Sequence, residues 1–125
     1  MKKTFFFLAF GLYCSQINAA GGYEHCLDNS QGVSTKISDC IAKDMEAQDS
    51  RLNSAYKKLM AQQRNEARKK ELKNSQKIWL SLRTADCDFK ANQDGGTAED
   101  LVRRECYREA TEQRASMLEN LLTSP

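Results

Sequence analysis

The chain has 125 residues, which is one domain's worth, and carries 19 Lys and Arg against 17 Asp and Glu. Two of those lysines fall in the first 20 residues, so the remainder holds 17 of each sign and is neutral overall. A balanced chain lacks the cationic excess that grips a phosphate backbone, which argues against nucleic-acid binding.

Lys2-Lys3 form a positive start, Phe5 to Tyr13 an apolar run, and Ala19-Ala20-Gly21 a small-residue cleavage site. That is the pattern of a cleavable secretory signal. Residues 1–20 are read as the signal and residues 21–125 as a single exported domain, periplasmic or secreted. Tyr13 precedes Cys14, where a lipid-anchored cysteine needs a small residue, so Cys14 is read as lost with the signal. No later apolar run approaches the roughly 18 residues of a membrane span.

Four cysteines remain: Cys26, Cys40, Cys87 and Cys106. An even count in a small exported domain reads as two disulfides. Without a C-x-x-C, and with His25 as the sole histidine, zinc is disfavoured and no metal or cofactor is expected. Four cysteines allow three pairings.

Gly21 to Val33 shows no apolar period and reads as a loop or an irregular turn tied down by Cys26. A long helix is expected from Ser34-Thr35, either of which would cap it, with Asp39 in its first turn. Its inward stripe is Ile37, Ile41, Met45, Gln48, Leu52, Ala55 and Leu59, and Asp49, Asn53 and Tyr56 flank it. The helix runs to about Arg64, with Asn65 as the breaker. Lys57-Lys58, Arg64, Arg68-Lys69-Lys70, Lys73 and Lys77 make the middle of the chain basic. They read as a solvated face, or alternatively as a patch for anionic wall or lipid surfaces.

Leu72 to Cys87 contains the only tryptophan and reads as the central helix. Lys70, Lys73, Lys77, Ser81, Thr84 and Asp88 share a narrow polar arc, while Leu72, Ile78, Trp79, Leu80, Leu82, Cys87 and Phe89 spread over the rest. An apolar arc that wide calls for two covering neighbours. Gln76 and Arg83 sit at its edge, in the expected seam with the first helix, and Asp49 is the expected carboxylate partner of a buried Arg83. Ala91 to Gly96 is the clearest loop. Its Asn92-x-Asp94-Gly95 echoes a calcium-binding loop but lacks the terminal carboxylates, so the match fails. Thr97-x-x-Asp100 resembles a cap for a last helix with an inward stripe of Ala98, Leu101, Val102, Cys106, Ala110, Met117, Leu118 and Leu121. No alternating segment suggests a strand. The fold class is all-α, a small three-helix bundle stapled by two disulfides.

No phosphate loop, metalloprotease helix or nucleophile elbow occurs, and no free cysteine neighbours a histidine. The acids Glu99, Asp100, Glu105, Glu109 and Glu112 cluster on the last helix, but a small bundle offers little room for a glycosidase cleft. The chain is therefore expected not to be an enzyme.

Asp49-x-x-Leu52-Asn53-x-x-Tyr56, then Gln76-x-x-Trp79-x-x-x-Arg83-x-x-x-Cys87, then Cys106 and Arg114-x-x-x-Leu118 together resemble the lysozyme inhibitor LprI-like family of small exported bacterial proteins. The resemblance spans about Cys26 to Leu121. It implies a helical envelope or secreted domain and a protein partner, lysozyme, which it would inhibit; against that basic enzyme the candidate contacts would be Asp94, Glu99, Asp100, Glu105 and Glu109, with Gly21 to Val33 and Ala91 to Gly96 as candidate loops. It also favours the pairings Cys26–Cys40 and Cys87–Cys106. The alternative is a structural or stress-related envelope protein on anionic wall or lipid surfaces. The motif residues themselves read as a structural seam.

Overall fold

A computed structural model describes residues 19–94, 96 and 98–124. The signal's charged and apolar regions, Gly95 and the expected cap Thr97 lie outside the described residues. Among the described residues four helices follow one another: α1 (Ala19–Ser30), α2 (Ser34–Gln62), α3 (Glu66–Asp94) and α4 (Glu99–Thr123). No strand occurs among the described residues, so the all-α class holds and the helix count rises from three to four.

The additional helix is α1, where a loop was expected. Its glycines and polar residues hide a short stripe: Tyr23, Cys26, Leu27 and Ser30 step by three, one and three, and all four are at least half-buried. Tyr23 packs with Cys40 and Ile41, and Cys26 is bonded to Cys40. Tertiary contact therefore holds a segment whose own helix propensity is poor. Gln31 (φ 51°) and Gly32 (φ 77°) then take the left-handed conformation that ends a helix, and α2 begins two residues later. The N-cap of α2 is Val33 with no side-chain cap, not Ser34 or Thr35, and Asp39 lies beyond its first turn. The break after α2 falls where expected. Asn65 makes it by starting the next helix, its side-chain oxygen accepting from the Arg68 amide at 2.9 Å.

The helix that takes two long neighbours is α4, not α3: it packs against both α2 and α3, which barely touch each other, while α1 rests on α2. Of the wide apolar arc expected of α3, only Leu72, Trp79 and Cys87 turn inward. Ile78 (60 %), Leu82 (55 %) and Phe89 (69 %) remain exposed. Apolar counting fails here because α4 buries polar groups: Arg108, Thr111 and Arg114 lie inside with Ala115 and Leu118, whereas Met117 and Leu121 point out. The expected stripe of α2 holds well, with Ile41, Gln48, Leu52, Ala55 and Leu59 buried, and Asp44 joins it.

Two small apolar clusters result. Leu52, Ala55, Leu59, Ala115 and Leu118 form one, with Trp79 and Leu72 against it; Tyr23, Cys40 and Ile41 form the other. Between them lies a polar layer centred on Arg108, only 8 % exposed. Its Nη1 donates to Asp44 Oδ2 at 3.0 Å and Glu112 Oε2 at 2.9 Å, and its Nη2 to Glu105 Oε1 at 2.9 Å. Its plane lies 4.2 Å from the Tyr23 ring centroid, and the Tyr23 hydroxyl donates to Glu105. Gln48 donates to Asp44 and accepts from Arg51, which also holds Glu119 and Ser116. Burial works against the Arg108 charge, but the three carboxylates overcome it and hold the guanidinium above its ordinary pKa. The two disulfides, Cys26–Cys40 and Cys87–Cys106, tie the outer helices to this pair. They close loops of 14 and 19 residues, each contributing roughly 3 kcal/mol in the loop-entropy model.

Arg108→Ala leaves Asp44 buried and unpaired, and should cost about 3–5 kcal/mol in urea unfolding. An exposed pair such as Arg104 with Asp100 should cost less than about 1 kcal/mol. Tyr23 gives a pH test. Burial first, then the Glu105 acceptor, raises its pKa above the usual value. The native state thus keeps a proton that the unfolded chain loses near about pH 10, so stability falls as pH rises past that point. Tyr23→Phe should be less stable than the parent at about pH 8 but lose stability less steeply between about pH 9 and pH 11.

Candidate functional site

Leu72, Gln76, Trp79, Arg83 and Cys87 recur every three to four residues, so α3 presents them on one face. The matching face of α4 carries Cys106, Thr111, Arg114 and Leu118. The helices run antiparallel, and three ties fix their register. Cys87 is bonded to Cys106, Arg83 Nη1 donates to Thr111 Oγ1 at 2.8 Å, and Arg114 Nε donates to Gln76 Oε1 at 3.1 Å. The expected seam of Gln76 and Arg83 is thus made with the last helix rather than the first. Asp49 is not the partner of Arg83. The carboxylate on α2 that neutralises a buried arginine is Asp44, and the arginine is Arg108. Asp44 is one residue short of the expected stripe at Met45, which is why periodicity alone passes over it.

Trp79 is the centre of this seam. The Arg83 guanidinium lies 4.8 Å from its ring centroid and 4.8 Å from that of Tyr107, and the Arg114 guanidinium lies 5.6 Å from Trp79. Arg114 is buried against neutral acceptors only, Gln76, Ser75 and the Met117 sulfur. Burial accordingly lowers its pKa, the reverse of Arg108. Arg83 keeps one loose end, because its Nε is buried with no hydrogen-bond acceptor.

Two grooves open on either side of Trp79. One, about 380 Å³, runs between α3 and α4 and is walled by Leu82, Asp86, Glu109, Gln113 and Met117. The other, about 270 Å³, lies between α2 and α3. It gathers seven of the eight motif residues singled out in the sequence: Asp49, Leu52, Asn53, Tyr56, Gln76, Trp79 and Arg83; Arg114 lies on the other side. It also brings in Lys73 and Lys77, which the sequence placed on a solvated arc. Among the described residues no group of three or more His, Cys, Asp or Glu is placed to hold a metal ion. No helix among the described residues is long and apolar enough to cross a membrane. His25 is exposed on α1, bonded to Asn29.

The neutral total hides a polarised charge distribution. Residues 52–79, at the end where α2 gives way to α3, carry eight Lys and Arg against two Asp and Glu. Residues 21–51 and 80–111 together carry eight against thirteen. The disulfides, the α1–α2 turn, the end of α3 and the start of α4 all lie at that acidic end. Of the candidate partner contacts there, Glu105 is committed to Tyr23 and Arg108. Glu99 pairs with Arg103, Asp100 with Arg104 and Glu109, at 3.9 Å, with Lys90. The side chain of Asp94 lies outside the described residues. Asp39, Glu46 and Asp86 are exposed, form no ion pair among the described residues, and add to the same end.

The family model described as lysozyme inhibitor LprI matches residues 26–118. Compared with curated proteins and with solved structures, the chain matches none.

Replacing Arg83 removes one neutral-acceptor hydrogen bond and two ring contacts but strands no charge. Arg83→Ala should therefore cost about 1–2 kcal/mol in urea unfolding, well short of Arg108→Ala, and shift the emission of Trp79 in the folded protein.

Proposed function

Because the chain belongs to the lysozyme inhibitor LprI family, we propose that it is an exported, non-catalytic binding protein that inhibits lysozyme. The family match over residues 26–118 carries the reading. The two disulfides support it, since such bonds form and persist in oxidising compartments outside the cytosol. On this reading residues 1–20 are a signal removed on export, and residues 21–125 are the working domain.

Lysozyme is a strongly basic enzyme, and the acidic end of the bundle is the complementary surface. Asp39, Glu46, Asp86, Asp100 and Glu109 would steer the encounter from exposed positions on three helices. Asp94 and Glu99 flank them. The α1–α2 turn and the segment joining α3 to α4 would supply the contacts that close off the enzyme's cleft. The mechanism requires no chemistry of the inhibitor: a rigid, doubly cross-linked helical body occupies the substrate's path, and its stiffness reduces the ordering cost of binding.

Purified, oxidised protein titrated into a lysozyme wall-lysis assay should give saturable inhibition near equimolar ratio, with a complex recovered by size exclusion. Asp100→Lys with Glu109→Lys should weaken inhibition about tenfold at low salt, chiefly through association rate, and less as salt rises. No inhibition and no complex would refute the reading.

A further inference from the structure

We propose that the groove between α2 and α3 is a binding site for an anionic saccharide, a pyranose unit that carries a carboxylate. The cations come first. Lys73 and Lys77 line the groove, are exposed, and form no ion pair among the described residues. Arg83 lines it too and contributes positive charge, though its Nη1 is taken by Thr111 and its Nε is buried. Against these three stands a single acid, Asp49, so the groove is an electropositive pocket in a neutral protein.

The remaining lining is suited to a sugar rather than to a bare anion. Asp49 accepts hydroxyl protons and forms no ion pair among the described residues. Asn53 is exposed and offers both a donor and an acceptor. Leu80 and Tyr56 supply apolar surface for the C–H face of a ring. The volume of about 270 Å³ lies just below the usual range of ligand sites, which limits the occupant to about one sugar unit. Its concave shape suits that unit better than a flat lipid surface. The groove is also rigid where it matters. Trp79 and Arg83 are fixed from the α4 side, so the wall of the groove is held in place before a ligand arrives, and the free donors that meet it are those of Lys73 and Lys77.

This assignment does not depend on lysozyme binding, which is proposed for the acidic residues around the helix connections. Trp79 is the only tryptophan and lines the groove, so its emission reports occupancy. The oxidised protein is titrated with N-acetylmuramic acid, and in parallel with N-acetylglucosamine, its counterpart without the carboxylate, and with inorganic phosphate. Calorimetry on the same samples provides a second readout. A saturable response to N-acetylmuramic acid alone is expected. Lys73→Gln with Lys77→Gln should weaken it about tenfold or more, with an unchanged urea midpoint because both side chains are exposed. Lys36→Gln, at the other end of α2, should leave it unchanged. Silence in both readouts, an equal response to the neutral sugar or to phosphate, or indifference to the double lysine substitution would each overturn the proposal.

Discussion

Arg108 is the residue whose surroundings constrain the rest of the bundle. A guanidinium removed from water is tolerable only when its charge and its donors are answered. Here the answers come from two long helices and one short one: Asp44 of α2, Glu105 and Glu112 of α4 itself, and the ring of Tyr23 on α1. Sliding α2 by one turn against α4 would separate Asp44 from Arg108, and removing α1 would open the layer to water. The Gln48–Arg51–Glu119 chain extends the same constraint along the α2–α4 contact. Apolar packing sets the strength of that contact, through Leu52, Ala55, Leu59, Ala115 and Leu118, but the polar layer sets its register.

The outer helices need other means. The apolar cluster under α1 consists of Tyr23, Cys40 and Ile41, with a few half-buried neighbours. α3 leaves Ile78, Leu82 and Phe89 in solvent. Neither buries enough to be held by hydrophobic burial alone, and each is tied by a disulfide to one of the two paired helices. The crosslinks thus fall at the weak contacts and not at the strong one. That placement suits a small exported domain, in which the core is limited and crosslinks make up part of the difference.

Much of this was legible in the sequence. The helix class, the extent of α2 and its inward stripe follow from a clean period of three and four, and the break at Asn65 from a residue that caps as readily as it interrupts. The motif from Asp49 to Arg114 drew attention to residues that the structure gathers, all but Arg114, around one groove. What could not be read was which neighbour each helix faces. Periodicity gives the direction of burial only where the buried residues are apolar, and α4 buries Arg108, Thr111 and Arg114, so it looked peripheral while α3, with its surplus of leucine and isoleucine, looked central. The same blindness hid Asp44, which Gln48 and Arg108 answer through contacts that are partly distant in sequence. α1 escaped because its stripe is four residues long and sits among glycines. Its signal was Tyr23-x-x-Cys26-Leu27-x-x-Ser30, too short to outweigh composition.

The central position of α4 also explains why the chain has a groove where its family motif lies. If α2 and α3 packed on each other, as the sequence suggested, Asn53, Tyr56, Gln76 and Arg83 would interlock and exclude any ligand. Both lean on α4 instead, so the space between them is left open and is lined by the very residues that would have closed it. Gln76 and Arg83 turn their hydrogen bonds toward α4, which fixes Trp79 and leaves the α2 side uncommitted. The charge distribution separates the two faces of the molecule in the same way. Basic residues collect where α2 meets α3, and acidic residues collect around the disulfides and the start of α4. A chain with no net charge is thus polarised along its length, and the two regions meet at the groove, where Glu46 and Asp86 stand about one helical turn from Asp49 and Arg83, within the roughly 8–10 Å over which salt leaves charges coupled.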